Sequence, residues 1–343
     1  MIKYCLKLAG ITPLNRMQIE HLAHLAGKFT ARITFEHKNR LINGKSMLGL
    51  LCLGVTGEDA VILSVDGEDE LEAAQQLKRL LDTGVAPPKD ATDAERLMQR
   101  IKLRYADILM DNLTGFYIYG SLASDCFQWE KSDLDFLVVV KNEMPVQKKI
   151  ALVETLYTLR EDAPPMGFEM SVLTEEACQS VQYPIPYLLH YSARWTAEYE
   201  QDPMGFCERM HGVDPDLTTH ILSLHAHHQV LLGPSVARIF GTVSRRDALR
   251  AMRLDVENAE QSVHDAPVYY VLNLCRMMAY VDEGAVLSKK EGGEWAMEYL
   301  PAAHQSLIQA ALNAYQAGRD MFYDRGQAEE FCYEMRRRLE AAE

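Results

Sequence analysis

Apolar and polar residues alternate over 2–8, 32–36 and 60–65, and this period of two predicts three short strands. Between them the spacing turns helical, over 18–28 and 46–52. It does so again over 68–81, where Leu71, Ala74, Leu77 and Leu81 fall on one stripe. His37, Lys38 and Asn39 read as a turn after the second strand. The order predicts a βαββαβα open-faced sandwich over residues 1–85. The stretch 82–90 carries Gly84, Pro87 and Pro88 and reads as a linker.

Beyond the linker the pattern changes twice. Residues 91–186 predict an α/β domain: a helix over 93–110, a strand over 116–119 and a second strand beginning at the aspartates of 133–140. A helix over 146–159 and a strand over 168–173 follow. Residues 187–343 read as helices over 216–232, 244–262, 267–281, 294–299, 302–315 and 328–342. Short Gly/Pro turns such as Leu232-Gly233-Pro234 join several of them, which predicts a helical bundle. The fold class expected is thus α+β and multidomain: open-faced β-sandwich, α/β domain, helical bundle. No internal repeat or low-complexity tract is apparent.

Composition narrows the function. With 48% apolar and 24% charged residues the chain has the make-up of a globular protein, not a disordered or fibrous one. A formal net charge of −14 argues against a nucleic-acid partner, whose phosphates it would repel, and suits a cationic substrate. The seven cysteines include no CxxC pair, and most sit in apolar runs, which fits a reducing compartment and neither disulfides nor zinc. Met1-Ile2-Lys3-Tyr4 opens no signal-peptide pattern, and no apolar run is long enough to span a bilayer. A soluble, cytoplasmic protein without membrane association is the expectation.

The chemistry concentrates between 119 and 140. A strand ends in Gly120-Ser121, a turn that lets the backbone close on phosphates, and Ser132-Asp133-Leu134-Asp135 then enters a second strand. Residues two apart on a strand share a face, so Asp133 and Asp135 present paired carboxylates. Such a pair entering a core strand repels and desolvates unless a cation joins it, and hard oxygen ligands of this kind suit Mg²⁺ carrying substrate phosphates. Glu169, flanked by apolar residues in the strand over 168–173, is a third carboxylate placed to bind metal or to take a proton from a hydroxyl. The blander readings are strand-edge charges at 133 and 135 and a solvent-facing position at 169. The pattern as a whole points to nucleotidyl transfer.

Tyr119-Gly120-Ser121 through Val140 resembles the nucleotidyltransferase (DNA polymerase β-like) superfamily. Over 114–315 the chain is similar to the streptomycin/spectinomycin adenylyltransferases. That likeness includes Asp216-Leu217, Leu232-Gly233-Pro234, Leu274-Cys275-Arg276, Ser288-Lys289 and Trp295-Ala296-Met297-Glu298-Tyr299-Leu300-Pro301. The resemblance implies ATP and Mg²⁺ as cofactors, Asp133 and Asp135 as metal ligands and Glu169 as catalytic base. It also implies Gly120, Ser121 and Ser132 at the nucleotide phosphates, with Lys289, Tyr315 and Arg276 closing on ATP. A solvated charge at Lys289, bundle core at Tyr315 and a structural ion pair at Arg276 remain alternatives. The implied acceptor is an aminoglycoside or aminocyclitol such as spectinomycin or streptomycin. No tryptophan stands just before Pro267, where streptomycin-modifying relatives carry one, and Trp195 reads as pocket or core. Asp125 occupies a loop position usually held by glycine.

Asn43-Gly44-Lys45-Ser46-Met47-Leu48-Gly49-Leu50-Leu51 resembles the HPr phosphocarrier family, which carries a regulatory serine at the start of a short helix. Ser46 is thereby a candidate regulatory site as well as an N-cap. The family's phosphoryl-accepting histidine has no counterpart in Leu14-Asn15-Arg16-Met17-Gln18, so this domain is not expected to pass on phosphate. An HPr kinase or a sugar-transport protein is the partner the resemblance implies for residues 1–85. Two rival readings stand beside AMP transfer to a drug: transfer to a protein or metabolite, and an HPr-like regulatory module carrying a vestigial transferase.

Overall fold

The computed structural model describes residues 1–7, 16–52, 60–83, 89–317 and 320–343, arranged as two compact units, Met1–Pro88 and Lys89–Glu343. Positions 14 and 15 of the expected phosphohistidine segment, and 84–88 of the linker, lie outside the described residues.

In the first unit β1 (Ile2–Lys7), α1 (Arg16–Gly27), β2 (Arg32–His37), β3 (Arg40–Asn43), α2 (Met47–Leu51), β4 (Ala60–Asp66) and α3 (Glu70–Thr83) follow in order. The four strands make one antiparallel sheet, ordered β1-β4-β2-β3. Alternation sends Ile33, Phe35, Val61, Leu63 and Val65 into a core with Leu22, Leu25 and Leu77. Leu71 does not join that core: it is 61% exposed, and the buried stripe of α3 is Ala73, Ala74, Leu77, Leu80 and Leu81. The helix is seated one residue round from the expected face. Ser46 is the N-cap of α2, its Oγ accepting a hydrogen bond from the Gly49 N–H at 3.1 Å.

The second unit opens with α4 (Ala91–Leu109), started by a capping box between Asp90 and Asp93. Then come β5 (Leu113–Ile118), the one-turn α5 (Gly120–Ala123), β6 (Leu134–Val140), α6 (Val146–Leu159), β7 (Phe168–Thr174) and α7 (Glu175–Ser180). The strands β8 (Ile185–Tyr187) and β9 (Leu189–Ser192), the helices α8 (Thr196–Gln201) and α9 (Pro203–Arg209), and β10 (Gly212–Asp214) lead to α10 (Asp216–Ala226) and β11 (Gln229–Leu232). The remainder is helical: α11 (Val236–Ile239), α12 (Arg245–Asp255), α13 (Ala259–Ser262), α14 (Pro267–Glu283), α15 (Lys289–Tyr299), α16 (Gln305–Ala317) and α17 (Arg325–Ala341).

The main sheet has the order β11-β5-β6-β7-β9, with β6 and β7 parallel and the other pairs antiparallel. Both faces are covered. Phe116, Ile118, Phe136, Val138, Met170 and Val172 point toward α4 and α6, while Tyr117, Leu137, Val139 and Leu173 pack against Leu217, Ile221 and Leu224 of α10. A third core holds the bundle together around α14, whose Val271, Leu272, Leu274, Cys275 and Met278 are fully buried.

Three helix expectations change. The helix over 216–232 stops at Ala226, because Gln229–Leu232 pairs with β5 and covers a sheet edge that would otherwise expose unpaired backbone groups. The helix over 244–262 breaks into α12 and α13 after Asp255, whose carboxylate is engaged by side chains of α14. The helix over 294–299 instead begins at Lys289. Gly292 and Gly293, weak helix formers, lie inside it because α15 packs tightly on its neighbours. A Cβ on Gly292 would stand 2.6 Å from the Arg276 Cβ, and one on Gly293 would stand 2.6 Å from Leu312 Cδ2. Those glycines bring Lys289 and Arg276 onto adjoining helices. No helix among the described residues is long and apolar enough to cross a membrane.

Candidate active site

The site begins with strand register. β6 and β7 run parallel with Asp135 directly opposite Glu169, and Asp133 precedes β6 by one residue. Odd-numbered positions on both strands face α10, so all three carboxylates lie on that side of the sheet. One oxygen from each of Asp133, Asp135 and Glu169 lies within 4.8 Å of the others. β7 is an inner strand, so Glu169 is not a solvent-facing residue of an edge. Burial, reinforced by Asp133 and Glu169 and opposed by Lys289 and Arg276, holds the Asp135 carboxyl well above the usual carboxylate range.

Gly120 makes the turn beside them. Its φ of +69° is left-handed, and a Cβ there would come within 1.9 Å of Asp135 Oδ2, so no other residue fits. The Tyr119 N–H donates to the Asp135 carbonyl at 3.2 Å, which locks the turn to the aspartate strand. Ser121 Oγ is buried with no hydrogen-bond partner among the described residues. Ser132, also buried, accepts from the Gln128 N–H at 3.1 Å and so holds the loop before Asp133. Asp125 takes the left-handed conformation, φ +52°, that glycine adopts more easily.

The helical side supplies cations. Lys289 is the first residue of α15 and is half-buried, its Nζ 5.0 Å from the centre of the Tyr269 ring, so it is not a freely solvated loop charge. Burial and the nearby Arg276 pull its ammonium below the usual lysine range, against Asp133, Asp135 and Asp255, which pull it up. Arg276 donates from Nε to Asn273 Oδ1 at 2.6 Å. Tyr315 on α16 meets the loop between α5 and β6 twice: its hydroxyl donates to Cys126 Sγ at 3.5 Å, and its carbonyl accepts from Gln128 Nε2 at 2.7 Å. Trp195 packs against Phe206, with its Nε1 buried and unpartnered among the described residues.

Apart from Asp216, which belongs to the Asp216-Leu217 pair of the resemblance above, several residues at the site carry no sequence signal. His220 of α10 places Nε2 3.8 Å from Glu169 Oε1 and pairs through Nδ1 with the Tyr119 hydroxyl at 3.0 Å. Asp214 and Asp216 lie on the same side, where burial and their mutual repulsion raise the Asp216 carboxyl. Asp255 and Asn273 enter from α12 and α14. Each belongs to a helix or turn whose own pattern is unremarkable, so only the packing of α10, α12 and α14 over the sheet gathers them.

Comparison with known proteins gives a consistent picture. The family described as "Aminoglycoside adenylyltransferase, C-terminal domain" matches residues 238–338, and that described as "PTS HPr component phosphorylation site" matches residues 18–83. The chain is 26% identical to the spectinomycin 9-adenylyltransferase of Staphylococcus aureus over 224 residues, covering 62% of this chain and 82% of that protein. It is 26% identical over 234 residues to the aminoglycoside (3'') (9) adenylyltransferase of Klebsiella pneumoniae, covering 66% of this chain and 87% of the relative. The fold is that of the spectinomycin adenyltransferase AAD(9) of Enterococcus faecalis, crystallised with ATP and spectinomycin. That likeness has a TM-score of 0.61 at 22% identity and covers 72% of this chain and 99% of the other.

Proposed function

We propose that this chain, an adenylyltransferase-like nucleotidyltransferase joined to an HPr-like domain, transfers AMP from ATP to a hydroxyl of a small cationic aminoglycoside or aminocyclitol. The observation that carries the reading is the convergence of Asp133, Asp135 and Glu169 within 4.8 Å beside the Gly120-Ser121 turn. Relatives named for spectinomycin and aminoglycosides support the acceptor class.

The donor set fits Mg²⁺. Three hard carboxylate oxygens converge, and the Asp135 carboxyl, raised first by burial and then by Asp133 and Glu169, is one whose ionised form a divalent cation would favour. Asp133, Asp135 and Glu169 would hold the ion, which when bound neutralises charge on the triphosphate. The protein's own residues do the rest. Ser121, with its unpartnered buried hydroxyl, and Ser132 offer hydrogen bonds to phosphate oxygens. Arg276 and Lys289 face the β- and γ-phosphates, and Tyr315 closes the loop over the nucleotide. Glu169 takes the proton of the acceptor hydroxyl; that oxygen bonds to the α-phosphorus as the bond to the bridging β-oxygen breaks, and pyrophosphate departs toward the two cations. Asp214 and Asp216 line the acceptor side with negative charge suited to an ammonium group.

Incubating the full chain with Mg²⁺, α-labelled ATP, an aminoglycoside panel that includes spectinomycin and streptomycin, and a cell lysate tests the reading. The expected result is a labelled AMP adduct of an aminocyclitol with one pyrophosphate released per adduct. Label carried only by a lysate protein or metabolite would move the acceptor, and no transfer at all would remove the activity.

For the HPr-like domain we propose a regulatory input at Ser46, read by a kinase or sugar-transport partner docking on residues 1–85, as the match over 18–83 suggests. Phosphate there would replace a cap hydroxyl with charge at the start of α2. Ser46→Asp is expected to change ATP affinity or turnover measurably in the full chain. Identical kinetics in variant and wild type would reject the input.

A further inference from the structure

Arg276 and Lys289 present a physical problem. Arg276 disfavours the charge of Lys289, while Asp133 and Asp135 favour it, and both cations act on the Asp135 carboxyl. That balance of charges does not by itself fix where two long side chains point. A second network holds them. Among the described residues Arg276 hydrogen-bonds through Nε alone, to Asn273 Oδ1 at 2.6 Å, leaving its two terminal nitrogens free. Asn273 is fully buried, and its Nδ2 donates to Asp255 Oδ2. The other carboxylate oxygen, Oδ1, accepts from the Tyr269 hydroxyl at 2.7 Å, and the Tyr269 ring lies beneath Lys289 Nζ at 5.0 Å.

We infer that Asp255, at the end of α12, is a positioning residue that sets both Arg276 and Lys289 for the triphosphate. It reaches the first through the Asn273 amide and the second through the Tyr269 ring. The inference rests on the proposed reading that those two cations face the phosphates. The hydrogen-bond polarity makes it specific. Asn273 must accept from an arginine on one side, so it can only donate on the other, and the partner must be an acceptor. A carboxylate at 255 satisfies that and still accepts from Tyr269. Its negative charge also offsets the two cations while no nucleotide is bound, and it yields that role to the triphosphate. Four side chains from α12 and α14, with Lys289 of α15, thereby act as one unit.

Replacing the carboxylate by an amide isolates this role, since the shape is kept. Asp255→Asn removes the charge: with its oxygen kept on the Asn273 amide, its nitrogen faces the Tyr269 hydroxyl, which must turn from donor to acceptor, and both bonds lose their charge assistance. In the full chain we expect the KM for ATP to rise about tenfold, the worth of one charge-assisted hydrogen bond, with the acceptor KM changed less than twofold. Equilibrium binding of ATP in EDTA should weaken by a similar factor. Adding Asn273→Asp to Asp255→Asn restores every donor–acceptor pairing and the net charge, and should bring ATP affinity back to within about threefold of wild type. A structural staple between α12 and α14 predicts otherwise: a lower melting temperature with both KM values unmoved, or moved together. That result, or an unrescued double variant that still folds, overturns the inference. If the wild-type chain binds ATP and transfers AMP while Asp255→Asn behaves like it, the positioning role alone fails. If wild type binds no ATP, the underlying reading fails first, and this inference with it.

Discussion

Glu169→Gln lowers the turnover of AMP transfer by about 10³-fold while leaving ATP affinity within a few-fold, because the amide keeps the shape but cannot accept the hydroxyl proton. The residue lies opposite Asp135 on an inner strand, held between the sheet and His220, so the substitution has no packing consequence that could mimic the loss. Circular dichroism is expected to match wild type, and the thermal midpoint to be no lower, since the amide also lifts the repulsion of Glu169 on Asp135. Rapid-quench measurement of a single turnover separates the chemical step from product release, and the deficit should appear in the chemical step. A variant with wild-type single-turnover rates would reassign the base, with Asp216 and His220 as the next carboxylate and imidazole in reach of the same space.

Asp135→Asn abolishes activity and makes the metal-free protein more stable. The folded-state carboxyl lies above its unfolded value of 3.8, with burial as the main cause and the repulsion of Asp133 and Glu169 behind it. A carboxyl raised by folding binds its proton more tightly in the native state. Wild-type stability therefore falls as pH rises from about 3.8 through the folded-state value. An amide cannot ionise and escapes that loss. Thermal unfolding in EDTA across this range should show the midpoint of Asp135→Asn rising relative to wild type as pH increases. Each kcal/mol regained appears as about 2–4 °C for a unit of this size. Added Mg²⁺ should raise the wild-type midpoint and leave the variant's nearly unmoved, since the ion stabilises only a protein that binds it. Equal midpoints at every pH would show that neither burial nor the neighbouring acids raise the Asp135 carboxyl on folding. Activity and stability thus oppose each other at one side chain, as expected where a site is built to receive charge it cannot itself balance.

Much of the site was legible along the chain, for a local reason. Asp133 and Asp135 share a face because strand side chains alternate, and Gly120 precedes them at a turn that only glycine can make. Glu169 stood out as a lone acid among Phe168, Met170 and Val172, which are buried. Other signals misled. Gly292 and Gly293 look like helix breakers, yet they lie inside α15 because α14 and α16 leave no room for a Cβ there. Residues 229–232 continue an apolar run that reads as helix, and the open edge of β5 turns them into a strand. Leu71 fits the helical stripe of α3 but stays exposed, since the sheet beneath determines which way the helix faces.

By itself the amino-acid order determined what depends on neighbours a few residues apart: the paired aspartates, the glycine turn, the Ser46 cap and the change from alternating to helical spacing. The tertiary structure alone decided what depends on register and packing between distant segments. It set Asp135 opposite Glu169, brought His220 to that pair, and bound Arg276 to Asp255 through Asn273. The reason is physical: a strand or helix period is a property of the local backbone, whereas pairing across a sheet and the angle between helices follow from how whole faces fill space.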